Sequence, residues 1–251
     1  MCAIHGILWS SKKIMDEMMC EAHHRGPDGY GQWSDEHITL GHNLLSIIDT
    51  TENSKQPWFH NDWVLVYNGE IYNYKELGEE FKTKTNTDTE VLIRGLEKYG
   101  VEFIYKLDGM FAFAAYNKKN KRLILARDSN GQKPIYYGYT GGKFAFSSEI
   151  KSLLTLGFER KVDKEAFKQY YKQGYNSGYL TLFKGIKKFV PGEIVEMSID
   201  GTVKDNYNIN NVSIPLRYVK NIGAIKDEVR ERLHLAVKQT LMGRREIGLF
   251  L

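Results

Sequence analysis

Cys2 directly follows Met1 in a sequence that opens MCAIHG, and a thiol at that position has two interpretations. A cysteine in a chain is often a small buried apolar residue. If Met1 is removed, however, Cys2 carries a free α-amino group beside its own thiol. The pKa of a free thiol is about 8.5 and that of an α-amine about 7.7–8.0, so the amine is partly neutral and can accept the thiol proton. Nucleophile and general base would then belong to one residue.

Four further stretches carry polar residues of types that bind or activate substrates. They are HRGPDG at 24–29, GHNLLSIID at 41–49, YNGEIYN at 67–73 and the start of a predicted helix at Asp88. Taken singly, the first and third are typical of turns, and Asp88 is typical of a helix N-cap. Short motifs of this kind often match by chance, so no single stretch decides a function.

The elements that must position these residues are mostly short strands. Apolar or alternating runs bounded by Gly, Asn and Asp predict strands over 4–9, 38–48 and 63–72. Two hairpins are predicted around NKKN at 117–120 and TGG at 140–142. Ile14, Met18 and Ala22 form one stripe of a helix, and further helices are predicted over 88–99, 164–173 and 225–241. This pattern favours sheets covered by helices.

Composition and charge exclude several classes of protein. The chain has 251 residues, of which 42% are hydrophobic, and a formal charge of +4. That size suits one large domain, or one domain with a fragment of another, and the balanced charge provides no field for nucleic acid. The two cysteines form no disulfide framework, and no apolar run reaches the roughly 20 residues of a membrane span. We therefore expect a cytoplasmic protein with no nucleic-acid or membrane partner.

The order of the motifs along the chain is more specific than any one of them. MC-x-I-x-G, HRGPDG, GH-x-x-LSI-x-D, YNGEIYNY, DTE, LDGMFAFA, ARD-x-x-G-x-KP-x-YY and FSSEIKSLL follow one another in a single series. This series resembles the N-terminal class II glutamine amidotransferase domain of glutamine-hydrolysing asparagine synthetases. The resemblance implies the fold of the N-terminal nucleophile hydrolases: α+β, a four-layer αββα sandwich of two antiparallel sheets.

The same resemblance implies a role for each motif residue. The Cys2 thiolate would attack the side-chain amide of glutamine and release ammonia, and no cofactor is needed for this step. The side chain of Asn68 and the backbone N–H of Gly69 would bind the oxyanion, while Glu70 and Asp88 would bind the ammonium group of glutamine. The remaining residues expected to line the glutamine pocket are Leu44, Leu45, Ser46, Ile47 and Ile48.

Leu44 departs from the family pattern, which reads GH-x-RLSI and uses the arginine to bind the glutamine carboxylate. Loss of a bidentate guanidinium should cost about 1.5–3 kcal/mol of binding, with no loss of the chemistry itself. Asn43 or a basic residue from elsewhere could compensate, and the sequence does not show which. One alternative is therefore a scaffold with weak or no glutaminase activity.

The C-terminal part of the chain predicts a change of domain. We assign residues 2–205 to the amidotransferase domain and residues 206–251 to a linker and the first helix and strand of an incomplete α/β synthetase domain. GLFL at 248–251 matches the strand before the ATP-binding loop of the family, where Leu251 would contact ATP. ATP and Mg²⁺ would serve only that absent domain. A truncated chain, an interrupted gene and a split enzyme with a separate synthetase chain all remain open, and so does a homodimer.

A second alternative comes from two spacings that mimic zinc ligands. C-x-x-H occurs at 2–5 and C-x-x-HH at 20–24. Cys2 and His5 lie three apart on a predicted strand and would point to opposite faces. Cys20 is predicted to be a core residue of its helix. We therefore predict no metal site and keep the zinc-binding module only as an alternative.

Overall fold

The computed structural model describes residues 1–47, 51–210, 222–242, 246 and 248. The strands are β1 (Ala3–Ile7), β2 (Gly29–Ser34), β3 (Thr39–Leu44), β4 (Trp58–His60), β5 (Trp63–Ile71), β6 (Gly109–Asn117), β7 (Arg122–Arg127), β8 (Tyr136–Thr140), β9 (Lys143–Ser147), β10 (Ile186–Lys188), β11 (Glu193–Ser198) and β12 (Val203–Asn208). The α-helices are α1 (Lys12–Glu21), α2 (Tyr74–Phe81), α3 (Asp88–Tyr99), α4 (Ile150–Leu154), α5 (Lys164–Gln173) and α6 (Ile222–Thr240).

The strands form two six-stranded sheets. The first has the order β10-β8-β9-β1-β3-β2, and the second has the order β12-β11-β7-β6-β5-β4. Neighbouring strands pair antiparallel in both sheets. β1, which directly follows Cys2, and β5, which contains Asn68 and Gly69, therefore belong to different sheets.

The side chains of β5 show why the two sheets stack. Val64 and Val66 point into the core between the sheets, where they join Ile4, Leu40 and other apolar residues of the first sheet. Leu65, from the opposite face of β5, packs in a second core with residues of α3. Because successive side chains of a strand point to opposite faces, β5 is buried on both sides.

Helices cover the outer faces of both sheets. Val91, Leu92 and Leu96 of α3 pack on the second sheet, and Met15, Met18 and Met19 of α1 pack on the first sheet beside Ile7. The layers therefore run helix, sheet, sheet, helix. The predicted α+β sandwich of two antiparallel sheets is confirmed.

Several predicted elements are present and others differ in detail. Both hairpins occur, as β6–β7 and β8–β9, and the helices predicted over 164–173 and 225–241 occur as α5 and α6. The strand predicted over 38–48 is shorter, because β3 ends at Leu44 and the chain then leaves the sheet. Helix α1 buries Met15, Met18 and Met19, so its buried face is rotated from the predicted stripe that began at Ile14.

The N-cap of α3 is not the residue that the sequence predicts. Thr87 is the cap, and its side chain accepts a hydrogen bond from the backbone N–H of Glu90. Asp88 is the first residue of the helix. The carboxylate of Asp88 is therefore not used for capping and is available to other partners.

The C-terminal region is described only in part. Strand β12 ends at Asn208, and α6 exposes Val229, Leu233 and Val237. Residues 211–221 lie outside the described residues, and so does most of the strand predicted at 248–251. Among the described residues, no helix is long and apolar enough to cross a membrane.

Candidate active site

The pairing of β1 with β3 determines where Cys2 lies. Ala3 faces Asn43 across the two antiparallel strands, so Cys2 lies beside the residues that follow Asn43. The Sγ atom of Cys2 accepts a hydrogen bond from the backbone N–H of Leu45 at 3.3 Å and lies 3.5 Å from the carbonyl oxygen of the same residue. The end of β3 thus holds the thiol against irregular backbone.

Burial and local charges have opposite effects on the Cys2 thiol. Burial raises the pKa of Cys2, because a thiolate loses hydration there. The Leu45 N–H, the N-terminal amine and the ammonium group of Lys133 act in the other direction, whereas the carboxylate of Asp88 reinforces the effect of burial. Burial also lowers the pKa of the Met1 α-amino group.

The HRGPDG stretch supports the backbone on both sides of the thiol. Arg25 donates from Nε to the carbonyl oxygen of Cys2 at 3.0 Å, and its guanidinium also reaches Glu149. Asp28 accepts a hydrogen bond from the backbone N–H of Ser46 at 2.9 Å. A stretch that resembles a simple turn therefore positions Cys2 and the segment that follows β3.

The C-terminal half of β5 contributes the residues opposite Cys2. Within it, the backbone of Tyr67 is held by several side-chain hydrogen bonds. Gln56 accepts from the backbone N–H of Tyr67 at 2.6 Å and donates to its carbonyl oxygen at 3.1 Å. His42 Nε2 also donates to that carbonyl oxygen, at 3.0 Å. Burial lowers the pKa of His42 to about 3, so its ring is neutral. These bonds determine the position of the next residue, Asn68.

Asn68 presents a buried hydrogen-bond donor that the described part of the chain leaves unused. The residue is 1% exposed, and its Nδ2 atom has no hydrogen-bond partner among the described residues. Buried polar atoms are nearly always paired, because an unpaired one costs about 1–3 kcal/mol. An unpaired donor in a cleft is therefore a candidate to bind a ligand oxygen.

Gly69 follows Asn68 where two backbones approach closely. A Cβ atom at this position would lie 2.2 Å from the carbonyl oxygen of Met110 and 2.8 Å from the Cα atom of Phe111. Only glycine fits there without displacing the β6 backbone. Packing between β5 and β6 therefore requires glycine at the position whose backbone N–H is expected to bind the oxyanion.

Asp88 is buried, 4% exposed, and is tied to β5. Its Oδ2 atom accepts hydrogen bonds from the hydroxyl of Tyr67 at 2.8 Å and from the backbone N–H of Ile71 at 3.1 Å. Burial raises the pKa of Asp88 to about 6 despite these bonds. Burial also raises the pKa of Glu70, an effect that the nearby ammonium of Lys133 opposes. Two carboxyl groups therefore share this side of the site.

One open cleft brings these residues together. We call it the cleft, and its lining residues are Met1, Cys2, Leu44, Leu45, Ser46, Ile47, Ser54, Gln56, Tyr67, Asn68, Gly69, Glu70, Thr87, Asp88, Thr89 and Lys133. Nine of the residues predicted for the site are among them. The other two, Ile48 and Leu251, lie outside the described residues.

Leu44 lines the cleft at the position of the family's arginine, and Asn43 does not replace that arginine. The side chain of Asn43 bonds His5 through Oδ1 and donates to the carbonyl oxygen of Met19 through Nδ2. Both of its polar groups are therefore used between the first sheet and α1. The suggestion that Asn43 compensates for Leu44 is wrong.

Lys133 and Gln56 are site residues that sequence reasoning missed, and Arg25 was recognised only as part of HRGPDG, without a role. Lys133 lies in ARD-x-x-G-x-KP, and Arg25 in HRGPDG, so both were inside motifs that carried the resemblance. Gln56 lies outside all of those motifs. Its role depends on a contact with Tyr67, 11 positions later in the chain, which the sequence does not reveal.

The spacings that mimic zinc ligands do not come together as a metal site. Nδ1 of His5 bonds Ser147 and Nε2 bonds Asn43, and the residue is fully buried. Cys20 is exposed, which corrects the prediction that it is a core residue. In residues 1–47, 51–210 and 222–242, no group of three or more His, Cys, Asp or Glu residues could hold a metal ion.

Comparison with known families agrees with this arrangement. Residues 1–208 match the model of the glutamine amidotransferase domain. The chain belongs to that family.

Relatives of known name extend the comparison. The chain is 36% identical over 236 residues to asparagine synthetase [glutamine-hydrolyzing] 1 of Bacillus subtilis, which covers 90% of this chain and 37% of that protein. It is 37% identical over 182 residues to a putative asparagine synthetase 2 of Methanocaldococcus jannaschii, covering 62% of this chain and 35% of that protein. Amidase chry2 of Gibberella zeae is 32% identical over 256 residues, covering 96% and 37%. The chain thus spans little more than a third of these relatives.

A solved structure shares the fold at low identity. The glutamine phosphoribosylpyrophosphate amidotransferase of Bacillus subtilis, in complex with ADP and GMP, aligns with a TM-score of 0.62 and 19% identity. The alignment covers 84% of this chain and 50% of that one. The two stacked sheets are therefore an established arrangement for an amidotransferase domain.

Proposed function

We propose that this chain hydrolyses glutamine to glutamate and ammonia, with Cys2 as an N-terminal nucleophile after removal of Met1. The observation that carries the proposal is the buried Nδ2 of Asn68, which has no hydrogen-bond partner in the part of the chain that the structure describes and lies in the same cleft as the Cys2 thiol. A donor placed beside a nucleophile is the arrangement that acyl transfer requires.

The reaction runs through a thioester. The α-amine of Cys2 takes the thiol proton, directly or through a water, and Sγ bonds to the side-chain carbonyl carbon of glutamine. Nδ2 of Asn68 and the N–H of Gly69 bind the oxyanion. The amide C–N bond then breaks, and the leaving nitrogen takes the proton back as ammonia. Water hydrolyses the glutamyl thioester, which releases glutamate and restores the thiol.

Substrate recognition uses the acidic side of the cleft. Glu70 and Asp88 bind the ammonium group of glutamine, while the backbone and side chains of residues 44–48 contact the rest of the molecule. Leu44 provides no charge for the α-carboxylate. We therefore propose that the KM for glutamine is higher than it would be with an arginine at position 44, while the chemical step is preserved.

The longer relatives suggest a destination for the ammonia. We propose that residues 2–205 form the amidotransferase domain and that residues 206–251 lead into a synthetase domain. That domain would use ATP and Mg²⁺ to activate aspartate, and ammonia would convert the activated aspartate to asparagine. The proposal is supported by relatives that are named asparagine synthetases. It is also supported by the helix α6 (Ile222–Thr240), which lies after the amidotransferase domain.

The test is glutamate release by the purified protein once mass spectrometry has shown that Met1 is removed. We expect release from glutamine, and no release above background from Cys2→Ala. Cys20→Ser is the matched control and should keep full activity, because Cys20 is exposed on α1. No release from processed and folded protein would contradict the proposal and favour a scaffold without glutaminase activity.

A further inference from the structure

Lys133 is a buried lysine in the cleft that the proposed mechanism does not use. The residue is 7% exposed and lines the cleft with Cys2, Asn68 and Glu70. Its Nζ atom lies 3.5 Å from the Sδ atom of Met1, the residue that precedes Cys2. Removal of Met1 would take this contact away and leave the ammonium group facing the cleft.

The loop that carries Lys133 is held at many points. The carboxylate of Asp128 is fully buried and accepts hydrogen bonds from the backbone N–H groups of Phe111, Asn130, Gln132 and Lys133. The guanidinium of Arg127 donates to the carbonyl oxygen of Lys133 at 2.7 Å and also bonds the carbonyl oxygens of Gly131 and Phe189. Because both its N–H and its C=O are engaged, the backbone of Lys133 is positioned before any substrate binds.

The burial of this ammonium group lacks the usual compensation. Buried lysines are normally paired with a carboxylate, since desolvating an unpaired charge is costly. Among the described residues, no carboxylate lies within ion-pair distance of Lys133 Nζ. Burial lowers the pKa of Lys133 and the charge of Arg25 adds to this effect, whereas Glu70 first, then the Cys2 thiolate and then Asp128 oppose it. A negative charge formed in the cleft would therefore interact favourably with Lys133.

We propose that Lys133 is a positioning residue of the active site, whose ammonium group stabilises the thiolate form of Cys2. The inference rests on the proposed function, because that function makes Cys2 the nucleophile. The thiolate is the reactive form of cysteine, so a neighbouring cation increases the reactive fraction at neutral pH.

Other charged groups face the same thiol or its neighbours. The N-terminal amine and Lys133 favour the Cys2 thiolate, and Asp88 disfavours it. Arg25 and Asp28 act on the Met1 amine, and Glu70 acts on Lys133. The test must therefore remove the charge of Lys133 alone and leave these groups in place.

The test is the pH dependence of Cys2 alkylation by iodoacetamide, in Met1-processed protein with Cys20→Ser as the background. For Lys133→Met we expect the midpoint to rise by about one pH unit and alkylation at pH 7 to slow about tenfold. Lys133→Arg should restore the original profile. Lys119→Met, which removes one charge from the β6–β7 turn outside the cleft lining, should leave the profile unchanged.

The alkylation test separates this inference from the proposed function, because alkylation needs no glutamine. A protein that shows the Lys133-dependent profile but releases no glutamate would contradict only the proposed function. An unchanged midpoint in Lys133→Met would overturn the inference, and a raised KM with unchanged alkylation would assign Lys133 to substrate binding instead. Lys133→Gln is the second neutral variant. Loss of the thermal unfolding transition in both neutral variants would assign Lys133 to the fold and also overturn the inference.

Discussion

Asn68, Gly69 and Glu70 lie within β5, whereas Leu45, Ser46 and Ile47 lie in irregular backbone beyond the end of β3. We call the first group the strand wall of the cleft. The loop wall is residues 44–47, which are the last residue of β3 and the irregular backbone that follows it. The strand wall is paired with β6 along its length. The residues on either side of it are also held, because Tyr67 bonds Gln56 and His42 and Ile71 bonds Asp88. The loop wall is held by Asp28 at Ser46 and by the thiol of Cys2 at Leu45.

This difference in construction matches a difference in sequence. The strand wall keeps the family motif NGE intact, while the loop wall carries the departure, Leu44 for arginine. A group that stabilises a transition state must be held accurately, and a paired strand does that well. A residue that contributes only to substrate affinity can be substituted with a smaller loss of activity. The comparison therefore predicts that chemistry and affinity can be altered separately.

The largest effect is expected from Asn68→Ala in the strand wall. Loss of one oxyanion donor should lower kcat by about 10²–10³-fold and leave KM nearly unchanged, because the donor acts mainly in the transition state. Steady-state glutaminase kinetics would measure it, with Asn120→Ala in the β6–β7 turn as the matched control. A variant that raised KM at unchanged kcat would contradict the division between the two walls.

An intermediate effect is expected from Leu44→Arg in the loop wall. A guanidinium that binds the glutamine carboxylate should lower KM about tenfold to a hundredfold and leave kcat unchanged. The same kinetic assay measures this, and Leu44→Met is the control for volume. An unchanged KM would mean that another group already binds the carboxylate.

The smallest kinetic effect is expected from Asp88→Asn, which also changes stability. The pKa of Asp88 is raised to about 6 in the folded protein, from 3.8. Its stabilising contribution is therefore complete below pH 3.8 and is lost as the pH rises through about 6. At pH 7.5 the neutral amide should raise the free energy of unfolding by about 1–3 kcal/mol, whereas KM should rise about tenfold through loss of a charged partner.

Urea unfolding at two pH values checks the sign of this effect. The gain in stability of Asp88→Asn should shrink as the pH falls from 7.5 toward 4, because Asp88 of the folded protein becomes protonated below about pH 6 and no longer buries a charge. A gain of equal size at both pH values would show that the charge of Asp88 is not its cause. Asp163→Ala, at the half-buried N-cap of α5, is expected to reduce stability instead, since the Asp163 carboxylate accepts two backbone hydrogen bonds there.

The sequence by itself determined the strand content, the hairpins, the long helices and most of the residues that surround the cleft. These features depend on local periodicity and on turn chemistry, or on motifs long enough to be specific. Cys2, Asn68 and Gly69 could be named because each lies in such a motif. The expected contacts of Ile48 with glutamine and of Leu251 with ATP remain predictions.

Only the tertiary structure decided which side chains face the cleft and which are used elsewhere. Asn43 and Leu44 are neighbours in one strand, yet the first bonds His5 and Met19 while the second lines the cleft. Thr87 rather than Asp88 caps α3, which leaves the Asp88 carboxylate for Tyr67 and Ile71. Lys133 enters the cleft through a loop held by Asp128 and Arg127. Contacts between residues far apart in the chain decide each of these outcomes, and local sequence patterns do not encode them.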